Sequence, residues 1–317
     1  MTVLHRGSEA EADEIKALPV RHPGRWVATA LVAVLLAMFV NMLVTNPAFQ
    51  WRFMVDNMFT PPVLNGVRTS LVLTVLAMLI GVAMGVVLAV MRLSPSPVVS
   101  AAAWAYTWFF RAVPRIVLAI LFGNLGILYT RFYVGFPFDQ QLLELLGFSD
   151  ADARIFGVDA RTIGAGFVAG LLALALSEAA YMAEIVRAGI SSIDPGQTEA
   201  AQALGMSRLL TLRRIVLPQA MRVIVPPTGN ETIAMLKDTA LVAFVPVTNE
   251  LFFQLQAIGS RTFQIFPMLV AACIWYLAMT SVLMIAQHFV ERRFSRGFGV
   301  PREQAAAVPA GGMGGAS

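Results

Sequence analysis

The chain has 317 residues, of which 57% are hydrophobic and only 13% are charged, with a mean hydropathy of +0.71. Soluble domains carry roughly 45–50% apolar and about 25% charged residues, so this composition excludes an ordinary soluble protein. The net charge of +4 does not indicate nucleic-acid binding, because the basic residues lie between long apolar blocks. The single cysteine, Cys273, lies within such a block and excludes an internal disulfide.

Six apolar blocks are long enough to cross a bilayer core, which takes about 20 residues. The first, at residues 26–45, follows a polar tail at residues 1–25. It is too long for the apolar part of a signal peptide and lacks a small-residue cleavage site, so it is predicted to be an uncleaved span. The other predicted spans cover residues 66–91, 98–129, 163–190, 239–255 and 266–290, followed by a disordered tail at 294–317.

The third block is too long for one straight helix, and Pro114 interrupts it. A proline in a helix interior removes a backbone hydrogen bond, so a break or kink is expected there. A polar stretch at residues 131–161 then leads to the fourth span. With the N-terminus placed in the cytoplasm, most Lys and Arg residues outside the spans fall on the cytoplasmic side, which predicts that both termini and residues 191–238 lie inside.

The most informative stretch is residues 194–227, which reads DPGQTEAAQALGMSRLLTLRRIVLPQAMRVIVPP. Asp194 is a good N-cap for a short helix that ends at Gly205, where a glycine suits a C-cap. Ser207 can cap a second helix over residues 208–217, which Pro218 is expected to end. Such a pair of helices could dock in a groove of a partner protein or lie on the bilayer surface.

This stretch resembles the EAA loop of bacterial ATP-binding cassette (ABC) importer permeases. The matching residues are Glu199, Ala200, Ala201, Gly205, Ile215, Leu217 and Pro218. The similarity to the polar amino acid branch continues upstream and downstream, in Ala179-Ala180-Tyr181 with Glu184 and Arg187, in Leu236-Lys237-Asp238-Thr239, in Gly66, Thr69 and Leu71, and in Phe110-Arg111 with Pro114. Ala112-Val113 departs from the usual Gly-Thr, and Ala240 stands where Ser is frequent.

The resemblance implies an all-α membrane protein with the five-helix core of a type I ABC importer permease. That core would cover residues 62–293, with the coupling loop at 191–227 and one extra N-terminal span. It also implies that residues 199–201, Leu204, Gly205, Arg208, Ile215, Leu217 and Pro218 couple the permease to a cytoplasmic ATPase. Further implied partners are a second permease copy or paralogue and an extracytoplasmic solute-binding protein, with ATP and Mg²⁺ held by the ATPase and no cofactor in this chain.

Four polar residues within or near the predicted spans are candidates for a substrate path: Glu178, Arg111, Glu250 and Asn249. A charge in the middle of a bilayer costs about 2.5–3.5 kcal/mol on insertion scales, so such groups are expected to face a wet cavity or a partner. The alternative is a structural pair, as expected for Glu184 and Arg187 at i, i+3 spacing. Lys237 and Asp238 are predicted to fix a loop at the cytoplasmic face.

Other function classes lack their motifs in this sequence. No Gly-x-Ser-x-Gly or His-Glu-x-x-His occurs, His5, His22 and His288 are too scattered for a metal site, and no phosphate-binding P-loop is present. An internal repeat typical of many secondary transporters is not visible, although that class and a permease for another small polar solute remain the alternatives. The sequence therefore predicts a permease that imports polar amino acids into a bacterium, and it leaves the particular amino acid open.

Overall fold

The computed structural model describes residues 23–128, 130–135, 143, 154–159, 162, 166–245 and 247–294. Two compact units divide the chain, Met1–Phe49 and Gln50–Ser317. The helices are α1 (Pro23–Thr45), α2 (Trp51–Met58), α3 (Pro61–Arg92), α4 (Pro97–Ala112), α5 (Arg115–Gly123), α6 (Leu125–Leu128), α7 (Gly166–Ser191), α8 (Pro195–Ala203), α9 (Arg208–Thr211), α10 (Leu217–Asp238), α11 (Leu251–Thr262) and α12 (Ile265–Phe294).

Strands β1 (Arg131–Gly135) and β2 (Arg154–Asp159) form an antiparallel pair between α6 and α7. In this pair Arg131 lies opposite Asp159. The residues that join the two strands, and the terminal tails predicted at 1–25 and 294–317, lie almost wholly outside the described residues. The outer loop predicted at 131–161 therefore contains a hairpin in its described part.

Helix α1 belongs to the first unit and has no buried residue along its 23 residues. Its exposed side chains are mostly apolar, including Trp26 and Phe39. A helix that is apolar on every side is stable in lipid rather than in water. This agrees with the predicted first span, which begins three residues earlier in the structure than in the sequence interpretation.

Among the described residues, four helices are long and apolar enough to cross a membrane: α1, α3, α7 and α12. Helices α4 and α5 are long and apolar enough only when they are taken together. They bend by 97° at a break between Ala112 and Arg115. The predicted break at Pro114 is therefore confirmed. Pro114 itself is extended (φ −57°, ψ 137°) and precedes the first residue of α5.

The centre of the second unit is the pairing of α3 with α7, against which α4, α5 and α10 also pack. Small residues allow this close approach, since a Cβ at Gly85 would lie 2.5 Å from the Cβ of Met182. Membrane helices lack a hydrophobic drive to associate, so close packing through small residues supplies much of the attraction. The close packing of α3 against α7 therefore fixes the position of the polar residues of α7 that are described below.

The fifth span, predicted at residues 239–255, is wrong as a continuous helix. Residues Thr239–Phe244 form a 3₁₀ turn, and a new helix, α11, begins at Leu251. Instead, α10 provides 22 helical residues that pack against α3, α7 and α12. At about 1.5 Å per residue this length matches the roughly 30 Å of a bilayer core. The charged residues of α10 lowered its hydropathy, and two of them are paired inside the protein.

Candidate coupling segment and intramembrane ion cluster

The predicted helix pair is present at Asp194–Val216, which we call the coupling segment. The Asp194 carboxylate accepts a hydrogen bond from the Gly196 amide at 2.8 Å and caps α8. The Ser207 hydroxyl accepts one from the Leu210 amide at 3.4 Å and caps α9. Both predicted N-caps are thus confirmed, and they fix where each short helix begins.

Gly205 joins the two helices in a left-handed conformation with φ +77°. Its amide donates to the carbonyl of Gln202, and the Met206 amide donates to the carbonyl of Ala201. These bonds satisfy carbonyl groups at the end of α8. Since a Cβ at Gly205 would meet no atom within 4 Å, the backbone conformation alone selects glycine here.

Pro218 does not end the second helix, contrary to the sequence interpretation. Residues Leu212–Val216 form a π-helical turn, and α10 follows directly, with Pro218 in its first turn. Proline is tolerated there because its missing N–H would have no helical partner. The chain from Arg208 to Asp238 is therefore helical throughout.

Most residues of the predicted coupling set lie at the surface. Leu204 and Leu209 are large apolar side chains that remain 83% and 74% exposed. Ala201, in contrast, is buried. Exposed apolar groups next to basic ones favour a partner surface that buries them. The other predicted coupling residues are exposed (Glu199, Ala200, Gly205, Arg208, Leu217 and Pro218) or half-buried (Ile215).

Within the helical core, the guanidinium of Arg115 joins α5 to α7 and α10. Its Nη1 lies 2.5 Å from Oδ2 of Asp238, and its Nη2 lies 3.0 Å from Oε2 of Glu178 and 3.6 Å from Oε2 of Glu231. Its Nε donates to the Ser177 hydroxyl at 3.2 Å. We call these three carboxylates, from Glu178, Glu231 and Asp238, the acidic cluster.

Burial differs sharply within the acidic cluster. The side chain of Glu178 is fully buried, whereas those of Glu231 and Asp238 are 25% and 32% exposed. The second carboxylate oxygen of Glu178, Oε1, is buried and has no hydrogen-bond partner among the described residues. Buried polar atoms usually have a hydrogen-bond partner, so Oε1 of Glu178 is an exception among the buried polar atoms of the described residues.

Tyr181 forms the aromatic side of the same site. The guanidinium carbons of Arg115 and Arg111 lie 4.8 Å and 5.6 Å from the centre of its ring. Arg111 also lies 4.0 Å from Glu184, which forms a closer pair with Arg187 at 2.7 Å. The predicted i, i+3 pair of Glu184 and Arg187 is therefore confirmed. Arg111 lies beside the acidic cluster, on the same Tyr181 ring as Arg115.

Glu250 is fully buried, and donors from the chain occupy both of its oxygens. The Ser70 and Tyr276 hydroxyls each donate to Oε1 at 2.8 Å, and the amides of Phe252 and Phe253 donate to Oε2. In this structure Glu250 caps α11. Its neighbour Asn249 instead lines a cavity of about 610 Å³ together with the polar residues Asn65, Arg68, Thr69 and Thr248 and several apolar ones.

Lys237 and Asp238 are not placed where the sequence suggested. They lie at the end of α10 opposite the coupling segment, and Asp238 pairs with Arg115. Lys237 is exposed. The sequence interpretation placed the fifth span after these residues, whereas the helix that occupies this position is α10. About 30 Å of α10 separates Lys237 and Asp238 from Pro218.

Arg115 and Glu231 were not among the residues singled out from the sequence. The spacing of Arg111 and Arg115 could have suggested a shared face, but Pro114 between them hides it. Glu231 sits in the segment that was interpreted as a cytoplasmic loop. Within the described ranges, no group of three or more His, Cys, Asp or Glu residues is arranged to hold a metal ion.

The sequence matches the family described as "Binding-protein-dependent transport system inner membrane component" over residues 77–296. It is 41% identical to the arginine transport system permease protein ArgU of Corynebacterium glutamicum, over 94% of this chain and 89% of that protein. It is 34% identical to the glutamate/aspartate import permease protein GltK of Escherichia coli, over 77% of this chain and 98% of that protein.

The fold also resembles a solved structure, described as an amino acid ABC transporter with histidines. The TM-score is 0.59 and the identity 33%, with 77% of this chain and 98% of that chain covered. Fold and coupling segment together define a membrane-spanning permease subunit of the ABC importer class. The chain belongs to the family of inner-membrane components of binding-protein-dependent transport systems.

Proposed function

We propose that this protein is the permease subunit of an ABC importer that carries polar amino acids across the cytoplasmic membrane of a bacterium. Amino acids are named in the descriptions of both curated relatives and of the solved structure. The names of those relatives contain amino acids of opposite side-chain charge. They therefore support amino acids as the class of cargo without indicating a particular one. The orientation inferred from charge places both termini and the coupling segment in the cytoplasm.

One observation carries the proposal: the exposed coupling segment continues as helix into the acidic cluster. Leu204 and Leu209 offer an apolar contact for a separate ATPase subunit at one end. At the other end of α10, Asp238 belongs to a polar site between helices. A displacement imposed by the ATPase can therefore change the surroundings of a polar cargo, which is the coupling that an importer requires.

The proposed working cycle is the one that the family resemblance implies. A solute-binding protein delivers the amino acid to the outer side, and ATP with Mg²⁺ closes two ATPase subunits below a pair of permeases. The coupling segments move together, and the polar site between the helices opens inward after hydrolysis. The solute-binding protein acts on the permease from the outer face and the ATPase from the inner face. Each partner favours a different conformation, so the permease switches between two states.

The test is uptake of radiolabelled amino acids by cells that lack the gene, complemented with wild type, Leu209→Glu or Leu209→Met. We expect wild type and Leu209→Met to restore uptake of at least one polar amino acid. Leu209→Glu should reach the membrane in equal amount, because the side chain is exposed, and yet fail to restore uptake. Full uptake in Leu209→Glu would reject this docking surface.

Unchanged uptake of every amino acid in the deletion strain would reject the amino acid assignment. The same strains then test the second candidate cargo class, other small polar solutes, since the coupling argument does not depend on the cargo. Loss of one such solute in the deletion strain and its restoration by Leu209→Met would support that class. A chain that transports without any ATPase would contradict both.

A further inference from the structure

We propose that an anionic phospholipid of the cytoplasmic leaflet binds between α3, α7, α10 and α12. One of its acyl chains occupies an apolar cavity among these helices, and its headgroup lies against arginines at the cytoplasmic end of the cavity. This inference goes beyond the proposed function and takes only the orientation of the chain from it. The lipid is a bound component of the permease rather than its cargo.

The cavity among the four helices is partly open and has a volume of about 590 Å³. Its lining is apolar except for five residues: Thr228, Gly229, Thr232, Gln287 and Glu291. Helices α10 and α12 touch at one wall, where a Cβ at Gly229 would lie 2.7 Å from Cδ of Gln287. The volume falls within the range of roughly 300–1,000 Å³ that is typical of sites for small molecules.

The lining residues place the cavity at a definite depth. On α3, α7 and α12 they come from the end of each helix, at 82–90, 182–190 and 283–291, and on α10 they begin at its first residue, Leu217. These are the helix ends that the proposed orientation places in the cytoplasm. Leu212, in the π-helical turn of the coupling segment, also lines the cavity. The cavity therefore lies at the level of the cytoplasmic leaflet, beside the coupling segment.

The few polar groups of the lining already have partners within the chain. The hydroxyls of Thr228 and Thr232 each donate to a carbonyl one turn earlier in α10, at 2.8 and 2.9 Å. Nε2 of Gln287 donates to Oε1 of Glu291 at 2.6 Å. Water is retained in a cavity only where polar groups can bind it, and an empty cavity loses the dispersion contacts of its lining. An apolar occupant is therefore required, and in a bilayer leaflet that occupant is an acyl chain.

Charge at the cytoplasmic end selects the headgroup. Four exposed arginines follow lining residues in the chain: Arg213, Arg214, Arg292 and Arg293. The single carboxylate among them is that of Glu291. Basic groups between membrane helices on the cytoplasmic side bind anionic lipid headgroups, and a guanidinium can bind a phosphate through two parallel hydrogen bonds. This excess of positive charge favours an anionic headgroup over a zwitterionic one.

The experiment is photo-crosslinking in proteoliposomes that contain the permease–ATPase complex, without cargo or solute-binding protein. The probe is phosphatidylglycerol with a diazirine in one acyl chain, and the competitors are unlabelled phosphatidylglycerol and phosphatidylcholine. We expect labelled peptides from residues 212–233 and 283–291, with phosphatidylglycerol competing about tenfold better than phosphatidylcholine. Equal competition by the two lipids would overturn the inference. Absence of label from these peptides would show that protein, such as a second copy of the chain, covers the cavity, and it would overturn the inference too.

A pair of neighbouring valines tests the place of the acyl chain. Val86 lines the cavity, whereas Val87 is exposed and lies outside the lining. Val86→Phe fills part of the cavity and should lose most of the labelling of the two peptides, and Val87→Phe should be labelled as wild type is. Monodisperse elution and retained ATP hydrolysis establish that each complex is intact. Equal labelling of the two intact variants would overturn the inference.

A second set of variants tests the place of the headgroup. Arg292→Gln/Arg293→Gln should lower the preference for phosphatidylglycerol about fivefold, because it removes two cations from the cytoplasmic end of the cavity. The control is Arg261→Gln at the end of α11, on the side that the proposed orientation places outside, and it should leave the preference unchanged. A wild-type preference in the intact Arg292→Gln/Arg293→Gln complex would overturn the assigned headgroup site.

Discussion

Gly81 of α3 lies directly against Glu178 of α7, so closely that a Cβ at Gly81 would be 2.6 Å from Cγ of Glu178. The buried side chain of Glu178 therefore rests on the α3 backbone while its Oε2 contacts Arg115 at 3.0 Å. Non-bonded carbon atoms at 2.6 Å repel strongly, so one of the two groups must move if a methyl group is added. The packing of α3 thus fixes the position of the most buried carboxylate.

Gly81→Ala should lower stability and disturb the acidic cluster together. Overpacking of this kind costs about 1–3 kcal/mol. The check is thermal unfolding of the purified permease complex in nanodiscs, with ATP-driven amino acid uptake by the same variant measured in proteoliposomes. Gly24→Ala is the matched control, because a Cβ there meets no atom within 4 Å. Equal unfolding temperatures for both variants would contradict the close contact.

Gly205 allows a prediction about coupling rather than stability. At φ +77° a β-branched residue is strongly strained, whereas asparagine tolerates the left-handed region. Gly205→Val should cost about 1–2 kcal/mol at the turn and misalign α8 with α9, while Gly205→Asn should retain most activity. The measurements are ATP-driven uptake in proteoliposomes and retention of the ATPase subunit on the purified permease. Equal uptake by the two variants would argue against a role for this turn.

The sequence was sufficient to predict features that depend on local chemistry. The N-caps Asp194 and Ser207, the glycine turn at Gly205 and the break at Pro114 all follow from backbone preferences of single residues, and each is present. The long apolar spans follow from the thickness of the bilayer, and α1, α3, α7 and α12 match them. The ion pair of Glu184 with Arg187 follows from helical spacing.

Features that depend on contacts between helices could not be predicted in the same way. Helix α10 looked like a polar loop because Glu231 and Asp238 lower its hydropathy, and the cation that pairs with them, Arg115, lies on another helix. Glu250 looked like a charge in a span, although Ser70 and Tyr276 satisfy it from a distance of many residues. Long-range pairing of polar groups leaves no periodic signal in a single sequence.

The pair of Arg115 with Glu178 should be far more important for stability than that of Arg187 with Glu184. Arg115→Met leaves the buried Glu178 without its cation, which costs about 3–5 kcal/mol. Arg187→Met is the matched control, since both partners there are about one third exposed and i, i+3 pairs contribute about 0.2–0.5 kcal/mol. Thermal unfolding of the two variants gives the comparison.

The double variant Arg115→Met/Glu178→Met should recover part of that loss, because it removes the unpaired buried charge along with its former partner. The four proteins of this cycle yield the coupling energy between the two residues directly. A coupling no larger than that of an exposed pair, about 0–1 kcal/mol, would contradict the burial that the structure gives Glu178.

The last prediction concerns Glu250: loss of one of its hydrogen bonds should lower stability and leave cargo binding unchanged. Tyr276→Phe removes one of the hydroxyl donors to its buried Oε1 and should cost about 1–3 kcal/mol, the range for a buried polar group that loses a hydrogen-bond partner. Since donors of this chain already satisfy both oxygens of Glu250, the affinity for the transported amino acid should stay unchanged in Tyr276→Phe. Unfolding temperature and the concentration dependence of uptake of the transported amino acid are measured on one preparation. A lost affinity at unchanged stability would instead place Glu250 on the path of the cargo.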